Sequence, residues 1–107
     1  DLIRTLGELV SDALTGGVYA QTRGPRLETA AEVKALAKVA DIVGMTVASE
    51  ATLAMELDMR FAAICTVDNY ANGLGEEALT FEQVLATSRK NARRMESILE
   101  IIVENCA

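Results

Sequence analysis

The segment Asp41-Ile42-Val43-Gly44-Met45-Thr46 is an apolar run with polar residues at its borders. A short run of this kind is typical of a buried strand. Ser49 is the predicted N-cap of a following helix that ends near Leu57, with Glu50 in its first turn at the positive end of the helix dipole. A strand followed by a short loop and a helix favours a parallel sheet covered by helices.

The same alternation continues on both sides of this segment. Thr29 with Glu32, and Thr80 with Gln83, have the spacing of capping boxes that begin helices. The predicted elements are a helix over 1–14, a strand over 18–22, a helix over 30–40, a strand over 60–67 and a final helix after residue 80. Cys65 is predicted to be a small core residue of the strand over 60–67. We therefore expect a single α/β domain over 1–107, with mostly parallel strands alternating with helices.

Composition excludes several classes of function. The chain has 107 residues, 16 acidic against 10 basic, and a net charge of −6, which argues against binding to nucleic acid or to an anionic membrane. It has no histidine, so Ser-His-Asp, Cys-His and His-ligated metal chemistry are excluded within it. Two cysteines are too few for a disulfide scaffold and favour a reducing cytoplasm. No apolar run is long enough to span a membrane.

Three loops follow the predicted strands and carry the candidate site. They cover residues 23–28, 45–49 and 68–79, and each contains polar side chains. Ligands of open α/β sheets bind at the carboxyl ends of strands, so convergence of these loops is the default hypothesis for a site.

Four short motifs in these regions resemble the purine nucleoside phosphorylase family. They are Gly-Val-Tyr at 17–19, Gly-Pro-Arg-Leu-Glu-Thr at 24–29, Val-Gly-Met-Thr at 43–46 with Glu50 four residues on, and Asp-Asn-Tyr-Ala at 68–71. The branch is the trimeric one that includes methylthioadenosine and methylthioinosine phosphorylases. The similarity runs in order from about Gly17 to Cys106 and matches the C-terminal part of the family's α/β sandwich. The chain also opens at Asp1 without a starting Met, and we expect it to be a C-terminal fragment.

The resemblance implies a reaction and its requirements. The family cleaves the N-glycosidic bond of a purine nucleoside with phosphate, giving free purine and ribose 1-phosphate. It uses phosphate as co-substrate, needs no metal or organic cofactor, and works as a homo-oligomer. The family's N-terminal part supplies most of the phosphate site, so we expect the isolated chain to be inactive.

The resemblance also implies which residues contact the purine. Asn69 matches the position that is Asn in members acting on 6-oxopurines and Asp in those acting on adenine, so we expect it to stabilise the leaving base. Glu28 matches a carboxylate that accepts the N1–H of a 6-oxopurine. Taken without the resemblance, Asn69 is a turn former and Glu28 a helix-start acid.

The remaining matched positions surround the sugar and the phosphate. Met45 matches a residue against the ribose, and Thr46 matches a hydroxyl that contacts phosphate. Val43 and Leu27 match walls of the base pocket, where Leu27 replaces the commoner Phe. Phe81 matches a position that is often His in users of ordinary nucleosides and apolar in users of 5′-methylthio nucleosides. Core packing also explains Met45, and a hydrophobic helix start also explains Phe81.

Together these residues predict a phosphorylase acting on a 6-oxopurine nucleoside with an apolar 5′ group. 5′-Methylthioinosine fits best, followed by inosine and guanosine. One alternative is a non-catalytic fragment or interaction module without the phosphate-binding half, whose exposed strand edge favours self-association. Another is a nucleoside hydrolase, which the match of Thr46 to a phosphate contact disfavours.

Overall fold

The computed structural model describes residues 1–106 and has a mixed α/β architecture, which confirms the predicted fold class. The elements are α1 (Leu2–Leu9), β1 (Tyr19–Gln21), α2 (Ala30–Leu36), β2 (Ile42–Gly44), α3 (Val47–Glu56) and α4 (Phe81–Cys106). The chain divides into two compact units. The α/β unit contains residues 17–63 and 70–79, and the helical unit contains residues 1–16, 64–69 and the described residues from 80 onward. A single domain over 1–107 stays a prediction.

The α/β unit is built on a parallel pair of strands. β1 and β2 pair in register, with Ala20 opposite Val43 and Gln21 opposite Gly44. The predicted capping box begins α2, since Thr29 N–H donates to Glu32 Oε2 at 2.8 Å and Glu32 N–H donates to Thr29 Oγ1 at 3.2 Å. Because the strands run in the same direction, their carboxyl ends meet at one edge of the unit.

The Tyr19 side chain lies over Gly44 and requires glycine at position 44. A Cβ built on Gly44 would overlap the Tyr19 hydroxyl and lie 2.8 Å from the Tyr19 ring carbon that bears it. The Tyr19 ring therefore occupies the space that a side chain at position 44 would need. Gly44 lies in a strand, a conformation open to other residues. Glycine is therefore needed here for its lack of a side chain and not for its backbone conformation.

The helical unit contains α1 and α4. Val10, just after α1, and Ile98 on α4 are its buried apolar residues. Thr80 and Gln83 form the predicted capping interactions at the start of α4, with donor–acceptor distances of 3.1 and 3.2 Å. Arg94 and Asp12 form an ion pair at 2.5 Å, but both side chains are at least half exposed, so solvent screening limits its contribution to stability.

The strand predicted over residues 60–67 is wrong. The residues of this segment have no regular secondary structure, although their exposure alternates in the period of two that is typical of a strand. Ala62, Ile64 and Thr66 are half-buried, whereas their neighbours, including Cys65, are exposed. A strand needs a partner for its backbone N–H and C=O groups, and no neighbouring strand pairs with this segment within residues 1–106. The predicted core position of Cys65 is therefore also wrong.

Three helix boundaries differ from prediction. The helix predicted over 30–40 ends at Leu36. The first helix ends at Leu9, well before Leu14. The third helix begins at Val47 with Thr46 as its N-cap, so the predicted cap at Ser49 lies within the helix. No helix within residues 1–106 combines the length and the apolar character needed to cross a membrane.

The close approach at Gly44 predicts a specific loss of stability. In Gly44→Ala the new methyl group must displace the Tyr19 ring, and overpacking of this kind costs roughly 1–3 kcal/mol. Thermal unfolding should show a lower midpoint for Gly44→Ala. The matched control is Gly75→Ala, where the nearest atom to a new Cβ lies 3.6 Å away. Equal midpoints for the two variants would contradict the steric explanation.

Candidate functional site

Glu28 is the buried carboxylate of the α/β unit. It is only 9% exposed, although it precedes the N-cap of α2 in the loop after β1. Its Oε1 accepts a hydrogen bond from the Thr22 hydroxyl, and its backbone carbonyl accepts one from the Asn72 amide at 3.3 Å. Buried charges in proteins are normally paired or hydrogen-bonded, and Glu28 is held by neutral donors from two other segments.

A cavity of about 510 Å³ lies beside Glu28. This volume is within the range of small-molecule sites. Of the predicted site residues, Glu28 lines this cavity, whereas Leu27, Val43, Met45 and Thr46 do not. The lining residues are Thr22, Arg23, Gly24, Arg26, Glu28, Glu32, Ala35 and Leu36.

Arg26 enters this region but is paired with a different carboxylate. Its Nη1 and Nη2 donate to Glu32 Oε2 and Oε1 at 2.9 and 2.7 Å, a bidentate geometry. The hydrogen bond from Arg26, followed by the one from the Thr29 backbone N–H, lowers the pKa of Glu32 from 4.5 to about 2. The guanidinium is therefore committed to Glu32, and Glu28 keeps a carboxylate that is not in an ion pair with it.

The turn after β1 makes room for Met45 at the end of β2. Gly24 has φ of +61°, a conformation that favours glycine, and a Cβ built there would lie 2.8 Å from Met45 Sδ. Met45 is half-buried against this turn. Thr46 is exposed and caps α3 without a side-chain hydrogen bond to the helix.

Val43 and Leu27 occupy different environments. Val43 is half-buried in the middle residue of β2, opposite Ala20. Leu27 is 47% exposed, next to Glu28. The α/β unit therefore contains five of the predicted site residues, and it places those after β1 and β2 at the same edge.

Side chains also tie α3 to β1 at this edge. Ser49 N–H donates to Gln21 Oε1 at 2.9 Å, and Gln21 Nε2 donates to Ser49 Oγ at 2.5 Å. The two hydrogen bonds hold the first turn of α3 against the last residue of β1. Ser49 thus connects α3 to β1 and is not the N-cap that the sequence predicts.

Asn69 and Phe81 belong to the helical unit. Asn69 follows Asp68, whose carboxylate accepts from the Asn91 amide at 2.7 Å. Phe81 is the first residue of α4 and is 72% exposed. Asn69 therefore lies near the start of the loop over 68–79, and Phe81 lies just after its end.

Two residues that contact Glu28 were missed by the sequence interpretation. Thr22 directly follows β1, and its position at the carboxyl end of a strand was the available signal. Asn72 lies in the Asn- and Gly-rich loop over 68–79, where turn formation already accounts for such residues. Its contact with Glu28 spans 44 positions and has no local pattern.

Comparison with known proteins identifies the family. The sequence model described as the Phosphorylase superfamily matches residues 2–104, so the chain belongs to this superfamily. The chain is 47% identical over 88 residues to a protein of Archaeoglobus fulgidus named "Probable 6-oxopurine nucleoside phosphorylase", a match that covers 82% of this chain and 36% of the relative.

Two further relatives extend the comparison. A "Probable S-methyl-5'-thioinosine phosphorylase" of Thermodesulfovibrio yellowstonii is 40% identical over 80% of this chain and 33% of its own length. The "6-oxopurine nucleoside phosphorylase" of Pyrococcus furiosus is 42% identical over 81% of this chain and 32% of its own length. The chain thus spans about a third of the length of these relatives.

The ion pair of Glu32 predicts a pH-dependent stability. The pKa of Glu32 is lowered in the folded state, so its stabilising contribution is present above pH 4.5 and is lost as the pH falls towards about 2. Glu32→Gln should therefore unfold at a lower urea concentration than the unmodified protein at pH 6, with the difference shrinking by pH 3. Glu76→Gln, which changes an exposed loop carboxylate, is the control. A difference that is the same at both pH values would contradict the assignment.

Proposed function

We propose that the protein is a purine nucleoside phosphorylase that acts on 6-oxopurine nucleosides. The observation that carries this proposal is the buried Glu28 carboxylate, which accepts a hydrogen bond from Thr22 and is not paired with Arg26. Membership of the phosphorylase superfamily and the names of its relatives support the same reaction class.

The chemistry of Glu28 favours a 6-oxopurine. A hypoxanthine or guanine ring carries a hydrogen on N1 and can donate to an ionised carboxylate, whereas the N1 of adenine is an acceptor. A buried carboxylate facing the N1 of adenine would leave two acceptors opposed, which costs free energy because neither is satisfied. Glu28 would therefore select the base by its pattern of donors and acceptors.

Asn69 is proposed to act on the departing base. Breaking the glycosidic bond develops negative charge on the purine, so groups that donate there stabilise the transition state more than the ground state. The amide of an Asn can donate to O6 and accept from a protonated N7. Asp lacks the donor, which is why the residue type at position 69 bears on base preference.

The remaining predicted residues are assigned to the sugar and the phosphate. Thr46 would contact phosphate, and its hydroxyl is not used to cap α3. Met45, held against Gly24, would lie against the ribose. Val43 and Leu27 would wall the base. Phosphate is the co-substrate in this proposal, no metal or organic cofactor takes part, and the protein works as a homo-oligomer.

Phe81 supports the finer proposal that the substrate is 5′-methylthioinosine. An exposed phenyl ring at the start of α4 can pack on a thioether and has no donor for a 5′-hydroxyl. One of the relatives bears the name S-methyl-5'-thioinosine phosphorylase, which is consistent with this choice. Inosine and guanosine are the next candidates.

The test is a phosphorolysis assay of the full-length protein. Inosine, adenosine and the 5′-methylthio forms of both are supplied with and without phosphate, and release of free base is measured. We expect phosphate-dependent release of hypoxanthine, fastest from 5′-methylthioinosine. Base release that does not depend on phosphate would indicate a hydrolase and would contradict the proposal.

Asn69→Asp should shift base preference. The new carboxylate can accept from the amino group of adenine but opposes O6 of hypoxanthine. We expect kcat/KM for the 6-oxopurine nucleoside to fall by roughly 1–3 kcal/mol in transition-state free energy, the cost of mispaired buried polar groups. The control is Asn105→Asp, the same chemical change on the exposed side of α4. If the ratio of efficiencies for inosine and adenosine does not change, Asn69 does not contact the base.

Phe81→His should change selectivity at the 5′ position. The imidazole offers a partner to a 5′-hydroxyl and removes apolar contact from a methylthio group, so the preference for 5′-methylthioinosine over inosine should fall about ten-fold. Phe61→His places the same change on another exposed phenylalanine and should leave this ratio alone. A lower melting temperature with a constant ratio would show that Phe81 stabilises the start of α4 and does not contact the 5′ group.

A further inference from the structure

Thr22 is placed to control the carboxylate of Glu28. Its backbone N–H donates to the Gly44 carbonyl at 2.8 Å, the hydrogen bond with which the pairing of Gln21 and Gly44 ends. Its hydroxyl lies 3.5 Å from the same carbonyl and much closer to Glu28 Oε1. A hydroxyl has one proton to donate, and a carboxylate is the stronger acceptor, so the proton belongs to the contact with Glu28.

Among residues 1–106, Thr22 is the donor that the structure places on the Glu28 carboxylate. The Asn72 amide donates to the backbone carbonyl of Glu28, so this hydrogen bond does not orient the carboxylate. Arg26, the nearby cation, is bound by Glu32. The rotation of a carboxylate about its last bond is broad and is fixed only by its partners. The hydroxyl of Thr22 therefore sets which way the two oxygens of Glu28 point.

We infer that Thr22 is a positioning residue that determines the preference for bases carrying an N1–H. Its hydroxyl holds Oε1 of Glu28, and Oε2 is the oxygen assigned to the N1–H of the base. Thr22 touches Glu28 and need not touch the base for this role. The inference rests on the proposed function, because it deepens the role given there to Glu28.

The contact allows a matched set of variants. Thr22→Val keeps the branched shape and the backbone N–H but removes the hydroxyl donor. Thr22→Ser keeps the donor and loses only a methyl group. Thr52→Val is the control for the chemical change, because the Thr52 hydroxyl donates to a backbone carbonyl within α3 at 2.8 Å. Thr22→Ala removes the same donor with less bulk and replaces Thr22→Val if that variant does not fold.

The experiment measures kcat and KM for inosine and adenosine with the full-length protein and its variants, together with their melting temperatures. In Thr22→Val we expect kcat/KM for inosine to fall about ten- to one-hundred-fold, the range for loss of a hydrogen bond to a charged group. Adenosine should be affected by less than about three-fold, so the inosine-to-adenosine ratio falls. Thr22→Ser and Thr52→Val should retain the ratio of the unmodified protein.

Each contrary result has a distinct meaning. An active Thr22→Val protein with an unchanged ratio would overturn the inference and leave the proposed function standing. An equal loss on both nucleosides in Thr22→Val and Thr22→Ser, with lower melting temperatures, would show a structural role and also overturn it. If the unmodified protein releases no base in a phosphate-dependent reaction, the proposed function fails, and the inference that rests on it fails with it.

Discussion

The in-register parallel pairing of β1 and β2 is the constraint on which the candidate site depends. Because Gln21 lies opposite Gly44, the chain leaves both strands at one edge, and Thr22 and Met45 are the first residues beyond it. The pairing ends with the hydrogen bond from the Thr22 N–H to the Gly44 carbonyl, so the Thr22 side chain is held near Glu28. A shift of the register by one residue would turn each of these side chains to the opposite face.

Glu28, in the loop before α2, and Glu32, in the first turn of α2, have different hydrogen-bond partners. They therefore differ in their ability to bind a further donor. Glu32 accepts from a guanidinium and from the Thr29 N–H, which satisfies it within the protein. Glu28 accepts from the hydroxyl of Thr22 beside a cavity. If Arg26 were bound to Glu28 instead, any ligand N–H would have to compete with an ion pair. The pairing of Arg26 with Glu32 thus keeps Glu28 suited to a neutral donor.

Much of the apolar surface in the described part of the chain is not buried. Val10, Val33, Ala54 and Ile98 are its buried apolar residues. The segment over 60–67 keeps the alternating exposure of a strand without a paired strand, and α4 begins with an exposed phenyl ring. Relatives of the chain are about three times as long as the part it matches. Within residues 1–106 these apolar positions remain exposed or half-buried.

Local features of this protein could be determined from its sequence, and contacts between distant segments could not. The capping boxes at Thr29 and Thr80 span three residues each, so their sequence spacing is also their geometry. The α/β class follows from the alternation of such local patterns, and the position of Glu28 in the loop after a strand follows in the same way. The strand predicted over 60–67 was wrong because an apolar run indicates that a segment can be buried, while a strand also needs a partner for its backbone groups. The hydrogen bond between Asn72 and Glu28 joins residues 44 positions apart, and the one between Ser49 and Gln21 joins residues 28 positions apart. Only the tertiary structure decides such contacts, because they depend on strand register and on the path of a loop, neither of which leaves a periodic signal.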